Sequence, residues 1–144
     1  MKSNAERLFV KKMMDSATLP TRAHPDDAGL DLYALEDGVL PPGGGIVART
    51  GIAIGLPANT VGLVADRSSM AKKGVKTSGG IIDAGYRGEI HIVLRNITTE
   101  EIRFGRGERI AQLLILPCLT PAVFETDSLD ETGRGAKGFG SSGK

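Results

Sequence analysis

The chain has 144 residues, 40% of them hydrophobic and 24% charged, which fits one domain with a single core and excludes disorder of the whole. Its 18 Lys and Arg balance 17 Asp and Glu, so the bulk field neither recruits nor repels nucleic acid and any anion site must be built locally. The single Cys118, a charged Met1 to Val10 with no apolar core for a signal peptide, and no run near the ~20 apolar residues of a membrane span point to a cytoplasmic protein with no membrane and no nucleic acid among its partners.

Twenty glycines and seven prolines, spread rather than clustered, predict many short strands joined by turns. Leu8 to Met13 reads as the first strand, ahead of a Pro-bounded connection at Leu19-Pro20-Thr21. Leu30, Leu32 and Ala34 then alternate with Asp31 and Tyr33, the period of a half-buried strand. Pro41 to Gly45 is a turn, and Ile46 to Leu56 resumes as strand with Gly51 as a candidate bulge. After a turn at Pro57 to Thr60 and a strand at Val61 to Ala65, Arg67 to Gly74 is the one convincing helical turn, with Ser at an N-cap, good helix formers and Gly at the end. Its exposed N–H groups would attract an anion.

Thr77 to Asn96 joins a Gly-studded segment to a run in which Ile90, Ile92 and Leu94 alternate with Glu89, His91, Val93 and Arg95. Gly79-Gly80 allows a tight reversal, so the stretch reads as a hairpin whose tip offers backbone N–H and C=O groups to something flat and polar. Asp83 and Tyr86 sit just inside it. A carboxylate there can hold and deprotonate a water; it can equally cap a turn while Tyr86 fills core. The hairpin alone leaves both open.

Glu101 to Phe104 and Arg109 to Leu116 read as two further strands, the second apolar on both faces, which hints at burial against another subunit. Cys118, beside Leu116, Pro117 and Leu119 and with no His nearby, reads as a strand residue rather than a nucleophile. Turn signals this closely spaced predict an all-β sandwich or barrel. Beyond Phe124 the chain turns acidic and then reads GRGAKGFGSSGK, too poor in apolar residues to pack a core. Gly138 to Lys144 matches GxGxxG and GxxxxGK in form only, since no helix follows to meet the phosphates, and a Rossmann or P-loop fold is excluded. The local chemistry remains: free backbone N–H groups, Ser141 and Ser142 hydroxyls and the charges of Arg134 and Lys137 make a flexible anion clamp. Phe139, with no core to join, suits stacking on a ring, worth ~1–3 kcal/mol per base. A plain solubilising tail is the other reading.

Five segments fall in a fixed order: Ala28 to Leu32, Arg67 to Ala71, Gly80 to Glu89, Arg106 to Leu113, and Arg134 to Gly143. Together they resemble the five motifs of the homotrimeric dUTPase family, across nearly the whole chain. The resemblance implies a jelly-roll-like distorted β-barrel of the β-clip kind over residues 1–127 with one short helix, a flexible Gly-rich arm over 128–144, and a homotrimer whose active sites are shared between subunits. It implies hydrolysis of dUTP to dUMP and diphosphate by water attack on the α-phosphorus, with Mg2+ on the triphosphate, an activity that limits uracil in DNA and supplies dUMP for dTMP synthesis. Asp83 would activate the water, Tyr86 would pack on the deoxyribose, and backbone around Gly80 and Ile82 would read uracil. Arg67, Ser68, Ser69 and Gln112 would address the phosphates; Arg134, Phe139, Gly140, Ser141 and Ser142 would close over the nucleotide, with Phe139 on the base. Asp31 matches a supporting position. His24 and His91 show no paired ligand spacing, so the metal is expected to arrive with the phosphates and not in a site of the protein's own. Ser69-Met70 replaces the family's common Gly-Leu, Gly85 replaces a common second Asp, and Thr77 stands where some members have an Asn that touches the base.

Two rivals remain. A dCTP deaminase shares this fold and an Arg-Ser-Ser segment, but needs a proton-shuttling Glu where this chain has Val93. A non-catalytic trimer that binds nucleotide or a regulatory protein would not need Asp83, which is present.

Overall fold

The computed structural model, which describes residues 6–140 and 142–143, resolves the short apolar runs into eleven strands and one α-helix among those residues. In chain order they are β1 (Phe9–Lys12), β2 (Leu30–Tyr33), β3 (Gly38–Leu40), β4 (Gly45–Arg49), β5 (Ile52–Gly55), β6 (Thr60–Ala65), α1 (Ser68–Lys72), β7 (Val75–Ser78), β8 (Ile81–Ile82), β9 (His91–Asn96), β10 (Ile102–Phe104) and β11 (Arg109–Pro117). All strand pairs are antiparallel, in four sheets: β2-β11-β6-β8, β4-β9-β7, β1-β5 and β10-β3. The all-β expectation holds, but no sheet closes on itself, so open sheets replace the expected barrel. Most strands are too short for closure: the chain turns out of one sheet and into another before a ring can form.

The period of two decides which side chains go inside. Along β9, Ile92 and Leu94 are buried while His91 and Arg95 are exposed. These residues meet Leu32 of β2, Val64 of β6 and Leu113 of β11 in one continuous core, each such side chain contributing ~1.5–3 kcal/mol on burial. Asn96 lies on the same buried face. Its Nδ2 donates to the carbonyls of Leu40 (3.1 Å) and Glu100 (2.7 Å), and its Oδ1 accepts from the Thr98 amide (2.9 Å) and hydroxyl (2.7 Å). Asn96 is thus an internal strut whose amide is fully engaged.

Three local expectations are corrected. Ile46 to Leu56 is two strands in different sheets: β4 pairs with β9 and β5 with β1. Gly51 between them, at φ +70°, makes a corner against Ala17 and Leu35 rather than a bulge. The register shift that does occur is in β11 between Arg109 and Ala111, opposite β2. The N-cap of α1 is Arg67, with no side-chain capping bond, instead of a serine. Finally, Gly79-Gly80 does not close a two-residue hairpin. The arms that pair are β7 and β9, while β8 crosses to β6 in the other large sheet, so residues 79–90 form a long loop pinned between two sheets.

β11 behaves as its composition suggests. Ile110, Ala111 and Leu113 enter the core, whereas Leu114 and Ile115 are half-buried and Leu116 is exposed. Cys118 follows directly, its amide donating to the Asn59 carbonyl at 2.9 Å. From residue 119 onward every described residue is exposed.

Candidate functional site

Two clefts gather the motif residues. The first, about 190 Å3, is lined by the 79–90 loop, including Gly80, Ile82, Asp83, Tyr86, Glu89 and His91. Gly80 is required there by close approach: a Cβ would strike the Val64 carbonyl, and the Gly80 carbonyl accepts from the Val64 amide at 2.7 Å. One side of the loop is therefore stitched to β6.

The turn that carries Asp83 is closed by backbone, the Tyr86 amide donating to the Asp83 carbonyl at 3.0 Å. Among the described residues the exposed Asp83 carboxylate has no hydrogen bond or ion pair of its own, which separates it from a turn-capping aspartate. Tyr86 is 46% exposed and does not fill core; its hydroxyl donates to the Glu89 carbonyl at 2.8 Å, fixing the ring beside the cleft. Glu89 is in turn held by Arg49, whose Nε (3.0 Å) and Nη2 (2.8 Å) donate to its two oxygens, and by His91 Nε2 at 2.9 Å. The Arg49 hydrogen bond holds the Glu89 carboxyl below its ordinary pKa, against the opposing effect of burial, with charge attraction from Arg49 and His91 helping.

The second cleft, about 490 Å3, is lined by Asp31, Arg67, Ser68, Ser69, Arg109 and Gln112 among others. Register explains the convergence: Gln112 in β11 faces Asp31 in β2 on one side and Ala65 in β6 on the other, just before Arg67. Asp31 splays two arginines, Arg67 Nε at 3.1 Å from Oδ1 and Arg109 Nη1 at 3.5 Å from Oδ2, and Arg67 Nη1 also donates to the Arg109 carbonyl at 2.9 Å. Gln112 Nε2 donates to the Asp66 carbonyl at 2.7 Å. With the exposed hydroxyls of Ser68 and Ser69 at its rim, this cleft offers guanidinium and hydroxyl donors to an anion with several oxygens.

The structure thus brings Gly80, Ile82, Asp83 and Tyr86 together, and separately Asp31, Arg67, Ser68, Ser69 and Gln112. No described residue lines both clefts. Arg134, Phe139, Gly140 and Ser142 belong to neither: the hydrogen bonds described for residues 132–143 run only among themselves, as when Arg134 Nε donates to the Lys137 carbonyl at 2.9 Å, and Phe139 lies fully in solvent. Ser141 lies outside the described residues. Among the described residues, no group of three or more His, Cys, Asp or Glu side chains is placed to hold a metal, and no helix is long and apolar enough to cross a membrane.

Sequence reasoning passed over Arg109, which stood unassigned inside a quoted motif, and the Arg49–Glu89 pair and Asp66, whose partners lie 40 and 11 residues away. Only the pairing of strands brings such groups together, and no local pattern announces it.

The dUTPase family model matches residues 15–143. The deoxyuridine 5'-triphosphate nucleotidohydrolase of Nocardia farcinica (strain IFM 10152) is 47% identical over 138 residues, covering 93% of this chain and 84% of that protein. A probable deoxyuridine 5'-triphosphate nucleotidohydrolase of Schizosaccharomyces pombe is 41% identical over 136 residues, covering 94% and 97%. Among solved structures, the dUTPase of Staphylococcus bacteriophage 80alpha with dUPNHPP superposes with a TM-score of 0.90 at 33% identity, covering 96% of this chain and 99% of that one. A mutant dUTPase from phage phi11 of S. aureus, in which a structural Mg(II) ion is coordinated, gives a TM-score of 0.79 at 28% identity over 85% and 97%. A five-motif sequence, a jelly-roll-like all-β chain and relatives matched along nearly their full lengths agree: the chain belongs to the dUTPase family.

Proposed function

We propose that this protein is a dUTP diphosphatase, converting dUTP and water to dUMP and diphosphate by attack of water on the α-phosphorus. The observation that carries this reading is the Asp83 carboxylate, held at a cleft by a turn that its own carbonyl closes and left without a partner among the described residues. A carboxylate in that position can orient a water and take its proton, which general-base catalysis requires. Its cleft is small and flanked by Tyr86, whose exposed ring suits a sugar face that lacks a 2′-hydroxyl. The backbone near Gly80 and Ile82 supplies the edge hydrogen bonds that distinguish uracil.

The Arg67, Ser68, Ser69 and Gln112 cleft binds the phosphate chain, with Asp31 orienting the arginines and so acting as support. Positioning and charge neutralisation are most of what phosphoryl transfer needs from a protein. Asp31 already gives its oxygens to Arg67 and Arg109, so Mg2+ fits best on phosphate oxygens and water, where it would offset the negative charge of the triphosphate. Arg134, Phe139, Gly140, Ser141 and Ser142 close over the bound nucleotide, Phe139 stacking on the base.

Because Asp83 and Arg67 open into different clefts, one chain supplies parts of two sites, and a homotrimer with sites shared between subunits completes them. The exposed apolar residues Leu116, Leu119, Val123 and Phe124 along and beyond β11 favour such an assembly. The lone Cys118 suits the reducing cytoplasm. The deaminase alternative lacks its glutamate at Val93, and that alternative would release ammonia from dCTP instead of diphosphate from dUTP. Diphosphate release measured across dUTP, dCTP, dTTP and UTP tests the reading: dUTP alone is expected to be cleaved efficiently. Release from dTTP or UTP at the dUTP rate, or ammonia from dCTP, would contradict it.

A further inference from the structure

Asp66 lines neither cleft, yet it touches what holds both. It lies between the end of β6 and Arg67. Its carbonyl accepts from Gln112 Nε2, on the phosphate side. Its carboxylate points the other way: Oδ1 accepts from the Thr77 amide (2.6 Å) and the Thr77 hydroxyl (2.8 Å), and Oδ2 pairs with Lys76 Nζ at 2.7 Å. Thr77 belongs to β7, which is paired to β9 and not to β6. The Asp66 side chain is therefore a tie between the two large sheets.

The tie falls at a telling place. Three residues after Thr77, Gly80 is bonded to Val64. Together the Asp66–Thr77 and Val64–Gly80 contacts bracket Gly79, at φ +59°, and fix the backbone where the loop leaves its sheet. Burial by itself would raise the Asp66 pKa, but Lys76 and the two Thr77 donors outweigh it and hold the carboxyl below its ordinary value, so Asp66 is charged at neutral pH. Hydrogen bonds to an ionised acceptor are roughly twice as strong as neutral ones, and three of them converging on one carboxylate define its orientation.

We propose that Asp66 is a positioning residue that sets the register of the base-reading loop against β6, and thereby the selectivity for uracil. This rests on the dUTP diphosphatase reading above. Backbone groups that recognise a flat base discriminate only while held within ~0.5 Å of their working places. Losing the tie lets the loop shift, so that a base with a 5-methyl or a 4-amino group is rejected less sharply.

The test compares kcat/KM for dUTP, dTTP and dCTP in the full-length wild type and in Asp66→Ala, Thr77→Val and Thr77→Ser. Asp66→Ala is expected to lower the preference for dUTP over both competitors by roughly tenfold to a hundredfold, the scale of effect that a displacement of up to 1 Å produces. The loss should appear in KM for dUTP more than in kcat. Thr77→Val, which removes only the hydroxyl, should shift the ratios the same way by less, and Thr77→Ser should keep them. A merely structural role would reduce all three substrates equally; that result, or unchanged ratios in Thr77→Val and in a folded Asp66→Ala, overturns the proposal. Should Asp66→Ala not fold, the ratios in Thr77→Val alone decide. Failure of the wild type to cleave dUTP would bring down the function reading first, and the positioning role with it.

Discussion

Four carboxylates near the clefts have four different surroundings. Asp31 orients two arginines, Asp66 ties two strands, Glu89 is clasped by Arg49 and His91, and Asp83 faces solvent without a partner among the described residues. Chemistry follows partner: a carboxylate that is already paired is a strut, and one that is not can serve a water. The Glu89 strut makes a pH-dependent prediction. Because its folded pKa lies below the ordinary value, the unfolded chain takes up this proton more readily than the folded one. Its contribution to stability is present above the ordinary carboxylate range and fades as pH falls through the lowered value. Glu89→Gln should therefore melt below the wild type at pH 7, with the gap closing below about pH 4 in thermal scans followed by circular dichroism. A gap as large at pH 3 as at pH 7 would contradict the clasp. Asp83 could be singled out in the sequence by the glycines and tyrosine near it, with a turn-capping role equally open; Asp66 could not, since nothing near it in the chain says that Thr77 will lie beside it.

Among the elements, the strands were read correctly wherever a period of two had room to repeat, as in β2 and β9. Misreadings fell at junctions. Ile46 to Leu56 looks continuous because both its halves are apolar, and only the choice of different partners, β9 and β1, splits it at Gly51. Gly79-Gly80 looks like a hairpin tip because glycine pairs often are; here the second glycine is used to approach Val64. The arm is the simplest case, since its few apolar residues leave it little to pack with, and its described bonds reach no further than Thr126. Deleting residues 133–144 should leave the unfolding transition in place while lowering kcat/KM for dUTP by roughly a hundredfold or more, the loss of one base stack and several charge-assisted hydrogen bonds. Loss of the folded state on truncation would show that the arm is structural.

For the chain taken entire, composition already pointed to a small all-β domain, and five ordered segments pointed to the dUTPase family. The open sheets were beyond composition, because closure depends on how strands are shared among sheets. The separation of the Asp83 and Arg67 clefts was likewise hidden, since motifs adjacent in order need not meet in space. Under the proposed function that separation calls for a site shared between subunits, since a nucleotide spanning base loop and phosphate donors would need both clefts at once. The proposed function converges on one step, delivery of water to the α-phosphorus by Asp83. The most direct measurement is dUTP turnover by Asp83→Asn at saturating substrate, alongside binding of the dUTP analogue dUpNHpp. Binding within a few-fold of wild type with kcat reduced by ~10²–10⁴ is the expected result; a kcat close to that of the wild type would contradict the role assigned to Asp83.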